Sequence, residues 1–215
     1  LSVALVTKQN PLRSQTVMAQ GGINGALDGD IEAHIADTLK GGDGLCDERA
    51  VRILCEEAPD AISSLERMGV AFDRDEEGNI LQRPFGGGSK TRTCYSSDRT
   101  GQVILHTLFE HVQASRTITL FHDRMLLAID TTGKRTRGIA MLNVQEGSVE
   151  YLRGKSVVIA TGGYAGIYHT QTTNSSLSTG DGIVASARAG AMIRDCEFVQ
   201  FHPTTLENCS LLISE

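Results

Sequence analysis

The chain is predicted to be an α/β protein: parallel strands and helices interrupted by an antiparallel β insert. Three observations support this class. Val3 to Thr7 and Val157 to Ala160 are short, unbroken apolar runs, the pattern of strands buried on both faces of a parallel sheet. Both runs empty into polar, glycine-bearing chain, PLRSQTVMAQGG at 11–22 and TGG at 161–163. Between them lie stretches of helical period followed by a run of alternating strands. A buried strand that opens into backbone-rich polar loop presents amides and hydroxyls to a phosphate-bearing ligand at the sheet's carboxyl edge. With TGDG at 179–182 having the same character, three separated segments are expected to converge on one ligand.

Composition removes several alternatives. A net charge of -6, with no basic run or aromatic stripe, gives no support to nucleic-acid binding. The five cysteines, Cys46, Cys55, Cys94, Cys196 and Cys209, are scattered and never form C-x-x-C. That pattern argues against a disulfide framework or a zinc site and suits a reducing, cytoplasmic setting. No apolar run approaches the roughly 18 residues that cross a bilayer, so a membrane link is expected only through a partner. The chain opens on an apolar strand without Met and closes on LLISE, and is read as truncated at both ends.

In chain order, Ile31 to Leu39 reads as a helix. Asp47 is placed to cap the next, whose Ala50, Val51, Leu54, Cys55 and Ala58 recur at helical spacing. Pro59 lacks an N–H and is expected to break that helix and start another, with Ile62, Leu65 and Met68 inward and Gly69 as its stop. The charged 73–79 segment is taken as a solvated turn between two short strands. In RPFGGGS at 83–89, three successive glycines permit backbone that other residues would not, and Arg83, Phe85 and Ser89 are not linker residues. GQVILHTLFEHVQA from Gly101 is an amphipathic helix, with His106 and His111 read as surface or satisfied core histidines. Thr117 to Phe121 is a strand; Met125 to Ile129, Gly138 to Val144 and Ser148 to Leu152 form a meander turning at Thr132-Gly133 and Glu146-Gly147. Ile183 to Ala189 is a helix stopped by Gly190, and Met192 to Val199 a further strand. No G-x-G-x-x-G occurs, and Thr7-Lys8 stands where the second strand of a dinucleotide fold would end.

The set RSQTVMAQGGI, QRPFGGGS, DRTGQVILHTL, VVIATGGYAGIY, TTNSSLSTGDG and DCEFVQFHPT resembles the flavoprotein subunit of succinate dehydrogenase and fumarate reductase along the whole chain. The wider family also contains L-aspartate oxidase. The resemblance implies a Rossmann-like FAD-binding domain over 1–200 and, over 201–215, the entry to a capping domain that closes on substrate. It implies adenosine-ribose contacts from Thr7 and Lys8, and a pyrophosphate and flavin wall from Ser14, Thr16, Ala19, Gln20, Gly21 and Gly22. Ala160, Thr161 and Gly162 would add backbone contacts, with Asn174 and Asp181 completing the site. His202 matches a substrate-carboxylate histidine, and Ser214 and Glu215 match a Thr-Glu pair that binds substrate and helps relay a proton. Together with the Phe85-Gly86-Gly87 loop, these residues would hold a dicarboxylate during hydride exchange with the flavin. Implied partners are an iron–sulfur subunit and a membrane anchor that exchanges electrons with quinone.

Two departures from the family pattern refine that expectation. Gln15 stands where many members carry the histidine that bonds covalently to the flavin, and an amide has no nucleophilic ring nitrogen. FAD is therefore expected to be noncovalent, which favours fumarate reduction over succinate oxidation. GGDGLCDE and LISE are shared with L-aspartate oxidase, but Phe85 stands where that branch carries a glutamate for the substrate ammonium. A phenyl ring leaves a buried cation unpaired, so fumarate or succinate is expected over aspartate. A noncatalytic folding or interaction module is the alternative of another class.

Overall fold

The structure is a computed structural model and describes residues 1–133, 135–202 and 204–206. It divides into two compact units, one of Leu1–Gln15 with the described residues from Val112 onward, the other of Thr16–His111.

In the first unit, β1 (Val3–Val6) pairs in parallel with β5 (Ile118–Phe121), Val3 opposite Ile118 and Val6 opposite Phe121. Thr7 extends this ladder by donating its N–H to Phe121 O at 2.9 Å. The meander follows as β6 (Arg124–Thr132), β7 (Arg135–Asn143) and β8 (Val149–Arg153), in the antiparallel order β6-β7-β8. Asn143 accounts for its second turn: its side-chain oxygen accepts from the N–H groups of Gln145 and Glu146 at 3.1 and 3.2 Å. A helix over Asp181–Arg188 lies against β6 and ends before Gly190, whose φ of 94° suits glycine alone among common residues.

Two expected strands are absent among the described residues. Val157 to Ala160 carries no ladder, and Val158 is 88% exposed. A parallel strand exists only through a neighbour's hydrogen bonds, and apolar composition cannot substitute for them. Met192 to Val199 is interrupted by Asp195, whose φ of 58° is incompatible with a continuous strand and places it in a turn closed by Phe198 N–H on Asp195 O.

The second unit packs α1 (Ile31–Gly41), α2 (Glu48–Arg67) and the start of α3 (Thr100–Ala114) around a small sheet. Its order is β2-β4-β3, with β2 at Ile23–Asn24, β3 at Gln82–Arg83 and β4 at Thr93–Cys94, all antiparallel. Ile62, Val70, Phe72 and Cys94 form one buried cluster; Ile35, Val51 and Cys55 form another between α1 and α2. Asp30 and Asp47 cap the two helices, each accepting from the third residue on at 3.1 Å.

Pro59 does not break the chain into two helices as its ring would suggest; α2 runs through it for 20 residues. The lost bond to Cys55 O is outweighed by burial on either side, since Cys55 and Ile62 are 0% and 1% exposed. The 73–79 segment is a turn with a single bridge, Arg74 to Ile80, in place of two strands. Asp75 closes it by accepting from Asn79 N and Nδ2. The bland reading of the helical histidines fits the geometry: His106 is exposed and His111 Nε2 bonds to Met68 O.

Asp37 on α1 is the most heavily used carboxylate of this unit. Its Oδ2 accepts from Ser89 N at 2.7 Å, Ser89 Oγ at 2.8 Å and Arg92 Nη1 at 2.6 Å. The Ser89 N–H above all, then the Arg92 guanidinium and the Ser89 hydroxyl, lowers its pKa from the usual 3.8 to about 2. A depressed carboxyl pKa contributes stability that is complete above about pH 4 and is lost as pH falls towards 2. Thermal midpoints measured from pH 5 to pH 2 are expected to fall more steeply for the native protein than for Asp37→Asn. Parallel curves would show that the carboxylate contributes nothing to the acid limb.

Candidate functional site

The segment after β1 begins the site. Lys8 leaves the strand and its Nζ donates to Thr179 Oγ1 at 2.6 Å and Asp181 Oδ2 at 2.7 Å. These partners belong to TGDG at the start of α4 (Asp181–Arg188), where Gly180 takes a left-handed φ of 75°. A third segment joins them. A Cβ on Gly182 would lie 2.1 Å from Thr161 Oγ1, so glycine is required for the 157–163 segment to approach α4, and Gly180 N donates to Gly163 O at 3.2 Å. Within the first unit, Lys8 at the β1 exit, 161–163 and 179–182 are thus brought together, in place of the expected meeting of the 11–22 loop with the latter two.

The 11–22 loop is shaped by local hydrogen bonds. Asn10 accepts from Leu12 N and caps a 3-10 turn over Pro11–Arg13; a second turn covers Gln15–Met18. Gln15 is committed within the protein, its Oε1 accepting from Ser175 N at 2.6 Å. Asn174, beside it in sequence, donates its Nδ2 to Gln200 O at 3.0 Å. Thr7 Oγ1 donates to Gln9 O. By contrast, Ser14 Oγ and Gln20 Oε1 are buried polar atoms without a hydrogen-bond partner. Such atoms are costly unless a ligand or water satisfies them. Gly162, with a φ of 70°, has open space where a Cβ would stand, and Ala160 and Thr161 precede it with exposed backbone.

In the second unit, Thr16, Ala19, Gln20, Gly21 and Gly22 complete the loop. Gly101 at the start of α3 donates its N–H to Ala19 O at 2.9 Å, and any Cβ there would strike Thr16 O. Gly22 has a φ of 118° and lies against Cys94 O. The contribution of Arg83 was not foreseen from sequence. Its Nε donates to Gly21 O at 3.1 Å and its Nη2 to Gln20 O at 2.9 Å, with the guanidinium 4.6 Å from the Tyr95 ring centroid. The available signal was an arginine flanking a glycine run. Phe85 is 48% exposed, with its ring edge against Gly21; Gly86 and Gly87 form a turn closed by Gly88 N on Phe85 O at 3.2 Å.

His202 receives Thr173 Oγ1 as acceptor for its backbone N–H at 2.7 Å. Its Nδ1 lies 2.8 Å from Thr204 O and 3.2 Å from Thr204 N, so the backbone orients the ring. Ser214 and Glu215 lie outside the described residues, as does Cys209; Cys46, Cys55, Cys94 and Cys196 are free thiols. Among the described residues no helix is long and apolar enough to cross a membrane and no cluster of ligands suits a metal ion.

A family model described as an FAD binding domain matches residues 1–215. The chain belongs to the FAD binding domain family. It is 42% identical to the succinate dehydrogenase flavoprotein subunit of Rickettsia conorii, over 100% of this chain and 38% of that protein. Against the 8-methylmenaquinol:fumarate reductase flavoprotein subunit of Wolinella succinogenes, identity is 39% over 100% of this chain and 36% of the relative. A solved FrdA variant of E. coli quinol fumarate reductase superposes with a TM-score of 0.93 at 37% identity, covering 99% of this chain and 37% of that one. The chain therefore spans well under half the length of the curated relatives it matches. The α/β class and the FAD-binding assignment agree with the family.

In the first unit, the unpartnered Ser14 Oγ and the open backbone at Gly162 suit polar groups of the kind FAD carries; in the second unit, taken by itself, the unpartnered Gln20 Oε1 does likewise. Arg83→Met keeps the side chain's bulk but removes both donors to Gln20 O and Gly21 O. Loss of these bonds is expected to cost about 1–3 kcal/mol in stability and to weaken FAD retention. Denaturant midpoints and flavin titration of the two proteins check it; unchanged values in both would remove Arg83 from the site.

Proposed function

We propose that this FAD-binding chain serves a flavin-dependent oxidoreductase that interconverts fumarate and succinate, with fumarate reduction favoured. The observation that carries the proposal is whole-chain identity of about two residues in five to relatives named succinate dehydrogenase or fumarate reductase flavoprotein subunits. Bound FAD would supply hydride exchange at its N5. Lys8, Thr7 and Asp181 would meet the adenosine end, with Ala160, Thr161, Gly162 and Asn174 alongside. Ser14, Gln15, Thr16, Ala19, Gln20, Gly21 and Gly22 would wall the pyrophosphate and flavin.

Gln15 supports noncovalent attachment on two grounds. It lacks a nucleophilic ring nitrogen, and its amide oxygen is already bonded to Ser175 N. For substrate, His202 would bind one carboxylate, with Phe85, Gly86, Ser214 and Glu215 around the other groups. Ring geometry supports this role. With Nδ1 accepting from Thr204 N, the neutral ring carries its proton on Nε2; when both nitrogens are protonated, Nδ1 donates to Thr204 O. Both of these forms leave an Nε2 donor for a carboxylate, whereas the neutral form with its proton on Nδ1, donating to Thr204 O, leaves Nε2 an acceptor. Residues 1–200 are assigned to a partial FAD-binding domain and 201–215 to the entry of a capping domain. In the assembly that the family resemblance implies, the protein would sit on the cytoplasmic side with an iron–sulfur subunit and a membrane anchor.

Acid precipitation of the intact protein is expected to leave yellow flavin in the supernatant, and fumarate to shift the flavin spectrum before precipitation. Flavin retained in the pellet would overturn noncovalent attachment, and no response to fumarate would overturn the dicarboxylate assignment. His202→Ala is expected to raise the KM for fumarate by about 10- to 100-fold, the loss of one charge-assisted hydrogen bond. An unchanged KM would remove His202 from the substrate site.

A further inference from the structure

The glycine turn that follows Phe85 is almost without packing of its own. At Gly86 and Gly87 nothing lies within 4 Å of where a Cβ would stand, and Gly87 takes a left-handed φ of 82°. Flexible backbone of this kind needs an external anchor if its amides are to hold a fixed direction. One side is bounded by the Phe85 ring against Gly21. The other side is tied at Ser89, one residue beyond the turn-closing bond of Gly88 N to Phe85 O.

That tie is Asp37. One carboxylate oxygen receives both donors of Ser89, backbone and hydroxyl, and also Arg92 Nη1. Side-chain exposures of 16% for Asp37 and 6% for Arg92 shield their ion pair, whereas Ser89 and its two bonds to Asp37 are exposed. Next to it, Lys90 pairs with Asp30, the capping residue of α1, and lies 3.9 Å from Asp28. His34, also on α1, faces the same guanidinium; burial, and then the Arg92 charge, lowers its pKa, while Asp37 opposes that shift. The His34 Nδ1 and Arg92 Nη2 atoms are buried without partners, and the guanidinium, which has donors only, offers Ser89 no acceptor in place of the carboxylate. The anchor is therefore concentrated in one oxygen on one rigid helix.

We propose that Asp37 is a positioning residue for substrate: through Ser89 it fixes the Phe85–Gly87 turn so that its amides and ring meet a dicarboxylate in one orientation. This rests on the fumarate and succinate assignment above. Asp37 touches no substrate in this scheme, and FAD retention does not depend on it.

The test uses the intact flavin-loaded protein with Asp37→Ala, Ser89→Ala, Ser89→Thr and the Asp37→Ala/Ser89→Ala pair. Fumarate Kd is read from the flavin spectrum, flavin content from absorbance, and exposure of the segment from the rate of tryptic cleavage after Lys90. Asp37→Ala is expected to raise Kd about tenfold with flavin content unchanged and cleavage faster. Ser89→Ala should raise Kd by a smaller factor, Ser89→Thr should restore it, and the pair should be no worse than Asp37→Ala, because both residues act through one bond set. Kd within twofold of the native value in Ser89→Ala and Asp37→Ala would overturn the proposal, as would fully additive effects in the pair. Should Asp37→Ala not fold, Ser89→Ala and Ser89→Thr decide the question alone. A native protein whose flavin does not respond to fumarate overturns the substrate assignment together with this proposal, an outcome visible before any variant is made.

Discussion

The Lys8 ammonium holds together chain segments more than 170 residues apart, and the arrangement of the β1 exit, α4 and the 161–163 segment in the first unit depends on that contact. Lys8 leaves β1 and meets Thr179 and Asp181 at the start of α4. At 30% and 18% side-chain exposure, Lys8 and Asp181 are partly shielded, so their attraction is less diluted than on an open surface. Thr179 Oγ1 also bonds to the Asp181 carboxylate, completing a three-membered polar network. With α4 fixed in this way, Gly182 can admit Thr161 and Gly180 can bond to Gly163, which aligns the third segment.

Polar groups in this chain divide into those already satisfied internally and those left available. Gln15, Asn174 and Thr7 each commit one side-chain atom to the protein's own backbone. Ser14 and Gln20 keep buried atoms unpaired. Leaving a buried polar atom unpaired opposes folding, and a ligand that pairs it returns the lost free energy on binding. The same division runs through the second unit, where one oxygen of Asp37 receives three donors while the Gly86-Gly87 turn has open space around it.

Much of this architecture was legible because local chemistry determines it. Helical spacing located α1, α2 and α3; Asp47 marked a helix start; Gly133, Gly147 and Gly190 marked turns where positive φ is needed. Errors arose where distant neighbours decide the outcome. Pro59 opposes a helix locally, yet Cys55 and Ile62 are buried on the same element and carry it through. Val157 to Ala160 has strand composition without a ladder, and Asp195 interrupts Met192 to Val199 with a left-handed backbone angle that aspartate adopts more readily than most residues. The roles of Arg83 and Asp37 were hidden for the same reason. Arg83 reaches residues more than 60 positions away, and Asp37 reads as an ordinary polar residue of an amphipathic helix until Ser89 and Arg92 arrive from elsewhere in the chain.

The Arg83 guanidinium grips the 20–21 segment through carbonyl oxygens, atoms that every amino acid possesses. Its hold is therefore indifferent to which side chain stands at position 20. A substitution there can alter the polarity presented to a bound molecule while the path of the main chain stays the same. Descendants of this fold could diversify their chemistry at that position by single steps, without first rebuilding the scaffold that supports it.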